Sequence, residues 1–358
     1  MKVFFDARWT RTLRHDGVSR YGAELAQALA KIHPITLLIC DSDQLKLLPK
    51  DIPYILVNDP LSPAELFLPR KLNKLGADVV FSPLQVMGIW GRKYKLILTL
   101  QDLIYYKNPK PPTFLPPHVR LVWWLFHQAY WPQRLLLNQA DYIATVSGES
   151  KKEILAARLT DRPVGVVYNA PSVQKKPTKE TAVKKELVYM GSFMPYKNVE
   201  AILGALPLLP DYKLHLTSPI TPQRRAELET LIHNKSQVIF WNGISDEDYA
   251  GILGTATALV SASKAEGFGL PLIEAMQVGA PVVANDMPIF HEVGGTAALY
   301  FNADSPEQLA ARIRTLEDPK VRAARIAAGL QQAQKFSWDN SARELLRIMQ
   351  ALQKDKSS

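Results

Sequence analysis

The sequence predicts an α/β protein made of two doubly wound domains, each with a parallel sheet covered by helices. Short apolar runs alternate with amphipathic stretches along most of the 358 residues, and one polar segment near the middle interrupts them. A chain of this length also exceeds one typical core. Strands that alternate with helices form parallel sheets with helices on both faces. A composition of 47% hydrophobic and 22% charged residues is typical of a folded protein.

Six apolar runs in the first half predict buried strands, and helical patterns at 19–31 and 148–158 separate some of them. Together they predict a first domain over residues 1–170. The predicted strands are 3–7, 35–39, 78–81, 95–100, 142–146 and 164–168.

Residues 171–185 (PSVQKKPTKETAVKK) predict a linker, because they are rich in Pro, Lys and Thr and poor in large apolar residues. The alternation restarts and predicts a second domain over 186–338. The segment 339–358 then predicts a closing helix with apolar residues at Leu345, Ile348, Met349 and Leu352. Strands are predicted at 187–191, 213–216, 238–241, 258–260 and 281–284, and helices at 222–233, 246–253 and 270–278.

The distribution of charge and the cysteine content indicate the chain's binding partners and its cellular compartment. Residues 1–170 carry 22 Lys and Arg against 14 Asp and Glu, whereas the remainder carries 21 against 20. A basic first half favours phosphate-bearing partners such as an anionic membrane surface, a lipid-linked pyrophosphate or nucleic acid. One cysteine, Cys40, fits a reducing cytoplasm and is expected to be a buried structural thiol. We expect no signal peptide and no membrane span, since long apolar runs are absent from the sequence.

The segment 261–274 (SASKAEGFGLPLIE) has the pattern of an anion-binding turn. A strand leads into a loop with two glycines, and Pro271 suits the first turn of the helix that follows. Backbone N–H groups at such a helix start can hold a phosphate. Glu266 on the loop and Glu274 in the helix can accept hydrogen bonds from hydroxyl groups. The same spacing also fits a buried first-turn glutamate beside a turn-forming glycine pair.

Two further segments follow the first strands of their domains. The turn GSFMPYKN (191–198) brings Lys197 before a helix, where it can hold a diphosphate or simply be solvated. The segment HDGVSRY (15–21) contains Gly17, whose backbone could approach a phosphate or a sugar, and Ser19, a candidate helix cap. Taken alone, a lysine at such a turn is usually just solvated, and the Gly17 segment is equally well explained as a loop glycine and a routine cap.

Six other short motifs occur along the chain. Together with the three segments just described, they form an ordered series over nearly the whole sequence. The six motifs read LQDL (100–103), ATVS (144–147), FWNGISDE (240–247), GAPVVA (279–284), HEVGG (291–295) and FSW (336–338). In this order the motifs resemble glycosyltransferase family 4. These are retaining transferases with the GT-B fold, in which two Rossmann-like domains face each other across a cleft.

The resemblance implies roles for matching residues. Glu274 corresponds to a glutamate that binds the ribose, and Glu266 to one that binds donor-sugar hydroxyls near the reacting carbon. Lys197 corresponds to a lysine that binds the diphosphate, and Gly17 to a glycine that approaches it. Ile244 lies where the family contacts the base. Backbone contacts to the donor are implied at Gly191, Ser192, Gly267, Phe268, Gly269 and Leu270.

Two positions depart from the family pattern. Ser192 stands where an arginine often follows the glycine of the 191–198 turn, so Lys197 or a nearby arginine has to supply the positive charge. Gln101 stands where a histidine often contacts the donor sugar. A glutamine can donate a hydrogen bond but cannot carry a proton's charge, which puts an imidazole-dependent step in doubt.

The resemblance implies transfer of a hexose from a nucleotide diphosphate sugar to a glycan or lipid-linked acceptor, without a metal cofactor. A mannose- or glucose-type donor is favoured by its frequency in the family. We expect front-face substitution, in which the leaving phosphate helps to deprotonate the acceptor; a double displacement through an enzyme carboxylate stays open. Asp41-Ser42-Asp43 has the spacing of a metal motif, but it lies among polar turn residues.

Two alternative functions remain at this point. One is an epimerase or a phosphorylase on the same fold. The other is a non-catalytic basic module that binds acidic membranes or nucleic acid, although aromatic residues interleaved with Lys and Arg are concentrated in one segment, so nucleic acid is not expected. That segment, 114–137, predicts a helix that either docks at a membrane interface, such as the inner face of the cell membrane, or holds a lipid acceptor. The alternative is a helix buried between layers and kinked at Pro132.

Overall fold

The computed structural model describes residues 1–111, 117–171 and 183–357. The chain divides into two compact units. The first unit comprises Met1–Asn169 and Ser337–Ser358, and the second comprises Ala170–Phe336. Most of the predicted linker lies outside the described residues, but its last two positions, Lys184 and Lys185, already belong to a strand.

The first unit contains a seven-stranded sheet in which all paired strands are parallel, in the order β3-β2-β1-β4-β5-β6-β7. Every residue of β1 and β4 is buried, as expected for strands covered on both faces. The strands are β1 (Val3–Asp6), β2 (Ile35–Ile39), β3 (Tyr54–Leu56), β4 (Val79–Ser82), β5 (Lys95–Thr99), β6 (Tyr142–Thr145) and β7 (Val164–Val166).

Six α-helices of this unit, counted over its described residues, precede the second unit along the chain. The first begins at Gly17 rather than at Ser19, because Asp16 is its cap and accepts a hydrogen bond from the Ser19 backbone N–H (2.9 Å). The helices are α1 (Gly17–Ala30), α2 (Leu68–Lys74), α3 (Ile104–Lys107), α4 (Pro117–Phe126), α5 (Trp131–Leu137) and α6 (Gly148–Ala156).

The second unit contains a six-stranded parallel sheet in the order β10-β9-β8-β11-β12-β13. Its core includes large side chains from the strands and helices, among them Tyr189, Tyr212 and Phe301. The strands are β8 (Lys184–Tyr189), β9 (Lys213–Leu216), β10 (Val238–Phe240), β11 (Ala256–Ser261), β12 (Val282–Asn285) and β13 (Leu299–Phe301).

The remaining helices follow the strands of the second unit, and the last one returns to the first unit. Trp338 of this last helix packs edge-to-face on Tyr21 of α1 at 5.9 Å, and the predicted apolar residues Leu345, Ile348 and Met349 are buried. The helices are α7 (Val199–Ala205), α8 (Pro222–Glu229), α9 (Asp246–Thr255), α10 (Leu270–Gln277), α11 (Pro288–Gly294), α12 (Pro306–Thr315), α13 (Pro319–Ala333) and α14 (Trp338–Ser357).

The predicted class, two doubly wound parallel sheets, is confirmed, and the differences lie at its edges. Strands β3 and β13 were not predicted; each has three residues and lies at the edge of its sheet, so a short apolar run is the only local signal. The prediction of one helix across 114–137 is wrong for residues 117–137, and residues 114–116 lie outside the described part of the chain. Two helices lie there, and Pro132 belongs to the first turn of α5 rather than to a kink. Within the described part of the chain, none of the helices has the length and apolarity needed to cross a bilayer.

Each sheet changes the direction of its strand order once. In the second unit, β9 and β10 lie on one side of β8, and β11 to β13 lie on the other. In the first unit the change falls between β1 and β4. Ligands of doubly wound folds bind beyond the carboxyl ends of the strands at these points. The loops after β8 and β11, and those after β1 and β4, are therefore the places to look for a site.

Candidate active site

The loops after β8 and β11 carry most of the residues predicted from the sequence. β8 and β11 are neighbouring parallel strands, so the segment 190–198 and the segment 262–269 leave the same edge of the sheet. A backbone hydrogen bond from the Lys264 N–H to the Tyr196 carbonyl (2.8 Å) joins the two segments. The topology and this bond bring together residues that stand about 70 positions apart in the sequence.

The turn after β8 is held by buried groups beneath it. The Gly191 N–H donates to the Ser218 hydroxyl (3.0 Å), and the Tyr189 hydroxyl donates to the Ser192 carbonyl (2.6 Å). Burial raises the pKa of Tyr189 above its ordinary value, and the charge of Glu266 raises it further, so this hydroxyl stays a neutral donor. The turn is therefore fixed in shape before any ligand arrives.

Lys197 and Glu266 form an ion pair at the centre of this region. Lys197 ends a turn of 3-10 helix at Pro195–Lys197, and its Nζ lies 2.6 Å from Glu266 Oε1. The two side chains are only 15% and 14% exposed. One hydrogen bond occupies one of the three N–H donors of an ammonium group. The pair therefore fixes the position of a cation and a carboxylate together at the switch point of the sheet.

The loop that carries Glu266 is supported by neighbouring strands. The Ser263 hydroxyl donates to the Ala265 carbonyl (2.9 Å), and the Asn285 side-chain amide, at the end of β12, donates to the Ser263 carbonyl (2.9 Å). Lys264 forms a more exposed ion pair with Asp304 at 2.5 Å. Because the loop is held on both sides, Glu266 keeps a defined position beside Lys197.

Gly269 caps α10 in a backbone conformation that favours glycine. Its φ is +94°, and a Cβ placed on it would lie 2.9 Å from Phe290 Cε1. Phe268, directly before it, is buried and packs edge-to-face on Phe336 at 5.5 Å. The glycine lets the chain turn from the loop into the helix start, where Leu270 is the first helical residue.

Replacing Gly269 with alanine is expected to destabilise the second unit by about 1–3 kcal/mol, because a left-handed backbone and a close contact with Phe290 both oppose the new methyl group. Urea unfolding measures this change. Gly251 of α9 is the matched control: no described atom lies within 4 Å of its Cβ position, and alanine there is expected to be neutral or stabilising. Equal effects of the two substitutions would contradict the proposed strain.

Glu274 lies in the second turn of α10 and is 8% exposed. Glu274 lies close enough to the hydroxyl of the buried Tyr249, on α9, to change the pKa of that hydroxyl. Burial raises the pKa of Tyr249 well above its ordinary value, and the Glu274 carboxylate raises it further. The burial agrees with the alternative of a buried glutamate noted in the sequence, and the ribose-binding role of Glu274 stays a prediction.

Ile244 lies at the same edge of the sheet, in the loop between β10 and α9. Asn242 and Gly243 of this loop both have positive φ, at 54° and 106°. The Gly243 N–H donates to the Thr217 carbonyl (3.2 Å), after β9, and Ser245 caps α9. The half-buried Ile244 therefore stands on a loop tied to the neighbouring strand ends, two strands away from β8.

Sequence reasoning did not single out Arg224, which contacts the turn after β8. Its Nε donates to the Phe193 carbonyl (3.0 Å), and its guanidinium pairs with Glu200 and Glu227. Burial alone would lower the pKa of Arg224, but these carboxylates raise it above its ordinary value. Arg224 is thus an arginine near Ser192, although two carboxylates share its charge. No local sequence pattern could have found it, because the contact depends on the sheet order, in which β9, the strand before α8, is the neighbour of β8.

The predicted residues of the first unit, Gly17 and Gln101, lie at the carboxyl edge of the other sheet. Gly17 is the first residue of α1, and no described atom lies within 4 Å of its Cβ position. Packing of the described residues therefore does not require a glycine there. Gln101 follows β5, and its side-chain amide donates to the Pro83 carbonyl (3.1 Å), directly after β4. Its orientation is set by that bond.

Asp41-Ser42-Asp43 has a local structural explanation. Asp41 caps a short 3-10 helix, Ser42–Lys46, and accepts a hydrogen bond from the Asp43 N–H (2.8 Å). Asp43 pairs with Lys46 at 3.0 Å. Among the residues that the structure describes, no three His, Cys, Asp or Glu side chains cluster in a metal-binding arrangement. The nearby Cys40 is a free, half-buried thiol rather than a fully buried one.

Solved structures with the same architecture define the fold. Sucrose-phosphate synthase from Thermosynechococcus elongatus superposes with a TM-score of 0.77 at 18% identity, covering 98% of each chain. HepE of Anabaena, solved with UDP and glucose, gives a TM-score of 0.70 at 16% identity, covering 98% of this chain and 99% of its own. The chain has the fold of the GT-B glycosyltransferases.

Two family models match consecutive parts of the sequence. The Glycosyltransferase Family 4 model matches residues 15–174, and the glycosyl transferases group 1 model matches residues 172–332. The chain belongs to glycosyltransferase family 4, as the motifs predicted. A curated relative, O-antigen chain mannosyltransferase B of Escherichia coli, is 28% identical over 238 residues, which cover 60% of this chain and 62% of that protein. These comparisons do not favour an epimerase, a phosphorylase or a non-catalytic module.

Proposed function

We propose that the chain transfers a hexose from a nucleotide diphosphate sugar to a glycan or lipid-linked acceptor in polysaccharide biosynthesis. The observation that carries this proposal is the Lys197–Glu266 pair beside the N-terminus of α10, at the switch point of the second sheet. The name of the O-antigen mannosyltransferase supports mannose as the sugar. The UDP and glucose bound to HepE support a nucleotide-sugar donor, with glucose as the rival hexose.

The donor diphosphate is proposed to lie against Lys197 and the start of α10. A lysine and a helix N-terminus both stabilise negative charge, the first as a full charge and the second through backbone N–H groups and the helix dipole. The 191–192 turn and the backbone from Gly267 to Leu270 line this place. Glu266 would then accept hydrogen bonds from the sugar hydroxyls, and Glu274 those of the ribose, with Ile244 near the base.

The reaction breaks the bond between the anomeric carbon and the diphosphate oxygen. Negative charge develops on the leaving diphosphate as that bond breaks, and donors already in place stabilise it best. We propose that the acceptor hydroxyl attacks from the face that the diphosphate leaves, and that a diphosphate oxygen takes its proton. The anomeric configuration is then retained. Lys197 and the helix start carry the charge in this scheme, so a metal ion is not required.

The proposed acceptor and its place in the cell are argued from the charge of the first unit, not from an acceptor-binding site. A lipid-linked glycan carries a pyrophosphate, and the first 170 residues carry an excess of eight positive charges that would attract it. We therefore propose that the chain works at the cytoplasmic side of a membrane. Gly17 and Gln101 retain the roles that the family resemblance gives them, toward the diphosphate and the donor sugar.

A panel of nucleotide sugars tests the proposed function directly. The melting temperature is measured with GDP-mannose, UDP-glucose, UDP-galactose and free nucleotides. Binding to the folded state stabilises it by about 2.7 kcal/mol when the ligand is present at a hundred times its dissociation constant. We expect one donor to raise the melting temperature more than the others and to be hydrolysed slowly without acceptor. A panel with no shift and no hydrolysis would remove the proposal.

Replacing Glu274 with glutamine is expected to raise the KM for the donor about 10- to 100-fold while kcat changes little, because ribose contacts bind the ground state and the transition state alike. Steady-state kinetics with the donor found in the panel measure the two constants. Tyr249→Phe is the matched control, since it alters the buried neighbour of Glu274 without removing the carboxylate. A purely structural role of Glu274 would lower stability in both variants and leave the KM unchanged.

A further inference from the structure

Helices α4 and α5 present large apolar side chains to solvent. In α4 the exposed residues Leu121, Trp124 and Leu125 have i, i+3 and i+4 spacing, so they share one face of the helix. Val122 stands beside them at 66% exposure. In α5, Trp131 is 63% exposed and Leu135 is also exposed. We call these six residues the apolar ridge.

The opposite side of α4 is anchored to the first unit through aromatic contacts. Trp123 packs edge-to-face on Tyr105, in α3, at 5.0 Å between ring centroids. His127 stacks on Trp123 at 4.0 Å and contacts Tyr106 at 5.0 Å. These contacts give α4 a fixed orientation, so the α4 part of the apolar ridge is a defined surface. The buried-helix alternative from the sequence is therefore wrong for this face.

Charge around the apolar ridge indicates what it contacts. Residues 103–140 contain no Asp or Glu, but they contain Lys107, Lys110, Arg120 and Arg134. Lys107 forms an ion pair with Glu153 of α6, so the excess positive charge of this stretch comes from the other three residues. Arg134 donates to the backbone carbonyls of Arg158 and Ala157, at 2.8 and 3.0 Å, so these bonds leave its positive charge uncancelled. Lys110 is exposed. A stretch of 38 residues thus combines exposed apolar groups with positive charge alone.

We propose that the apolar ridge docks this chain on an anionic lipid bilayer. Tryptophan is favoured at the boundary between headgroups and acyl chains, because its ring is apolar and its N–H is polar. Leucine and valine between the tryptophans enter the acyl boundary, as in helices that lie in the plane of a membrane. Lysine and arginine around them attract acidic headgroups. This attachment does not depend on the transferase reaction.

A vesicle co-sedimentation experiment tests the proposal on the full chain. Vesicles of phosphatidylcholine alone are compared with vesicles that also contain phosphatidylglycerol. We expect binding to the anionic vesicles, weaker binding to the neutral ones, and a loss of the difference at high salt, because salt screens the attraction. Equal binding to both compositions, or binding to neither, would overturn the proposal.

The variant Leu121→Gln with Leu125→Gln is expected to lower the partition coefficient at least about tenfold, since two apolar side chains no longer enter the bilayer. Its matched control is Leu61→Gln with Leu66→Gln, which removes two exposed leucines elsewhere in the first unit and should bind like the unmodified chain. Circular dichroism checks that both variants fold. Sedimentation velocity tests whether a second copy of the chain binds the apolar ridge instead. If the unmodified chain forms concentration-dependent dimers but does not bind vesicles, and the first variant does not dimerise, the ridge is a dimer interface.

Discussion

Lys197→Met is expected to lower kcat by about 100- to 1,000-fold, the usual effect of removing one charged or hydrogen-bonding group that stabilises a transition state. The substitution keeps most of the aliphatic stem and removes the ammonium group, which lies 2.6 Å from Glu266. If the lysine holds the leaving diphosphate, the loss falls on the step in which negative charge develops there. Steady-state and single-turnover kinetics with saturating donor measure the effect.

The ion pair itself offers a competing explanation, because both side chains are largely buried. Removing the lysine leaves Glu266 without its partner, which alone costs about 1–3 kcal/mol of stability. The double variant Lys197→Met with Glu266→Gln removes both charges together. We expect it to recover the stability of the chain while its turnover stays low.

The matched control for Lys197 is Lys264→Met, on the neighbouring loop that carries Glu266. Lys264 also forms an ion pair, with Asp304, but both side chains are about half exposed or more. Pairs of this kind contribute about 0–1 kcal/mol, so kcat and stability should stay near their original values. Turnover that returns in the double variant would show that the Lys197–Glu266 pair serves the fold alone.

Most of the second unit's candidate site could be predicted from the sequence because its residues lie directly after strands. Lys197, Glu266 and Gly269 stand in turns that follow β8 and β11, and a strand, a glycine turn and a helix are visible as local patterns. Their closeness was not visible. It depends on β8 and β11 being neighbours in the sheet, which is a property of the strand order rather than of any sequence window.

Contacts between distant segments account for what could not be predicted. Arg224, on α8, donates a hydrogen bond to the Phe193 carbonyl in the turn after β8. Tyr249 of α9 lies beside Glu274 of α10. The exposure of α4 was also undecided, since an aromatic helix can face either a core or the solvent. The spacing of apolar residues in a helix does not tell whether its apolar face packs on a core or faces solvent, because the segment that covers the face comes from elsewhere in the chain.

A buried charge cluster in the first unit, centred on Arg8, has no motif in the sequence that points to it. Its guanidinium forms paired hydrogen bonds to Asp6 (2.7 and 3.0 Å) and to Glu65 (2.6 and 3.1 Å). The Ser82 hydroxyl also donates to Asp6 (3.2 Å). Burial alone would lower the pKa of Arg8, but the two carboxylates raise it above its ordinary value. Asp6 and Ser82 end β1 and β4, so the cluster lies at the switch point of the first sheet.

Arg8→Met is expected to lower the free energy of unfolding by about 3–5 kcal/mol, because it leaves two carboxylates buried without a cation. The side chains of Arg8 and Asp6 are fully buried, and that of Glu65 is 12% exposed. Urea unfolding measures the change. Arg11→Met is the matched control, since the Arg11–Asp16 pair in the same loop is exposed and should contribute no more than about 1 kcal/mol.

A neutral triple variant separates charge from packing in this cluster. Arg8→Met combined with Asp6→Asn and Glu65→Gln leaves no buried charge, and networks replaced as a whole often lose little stability. We expect the triple variant to be clearly more stable than Arg8→Met alone, and equal stabilities would instead assign the loss to the packing of the arginine stem. The loop that begins near Arg8 leads to Gly17, so the charged cluster could also position that loop for donor binding. The KM of the triple variant for the donor tests this: an unchanged KM would show that the cluster contributes to stability alone.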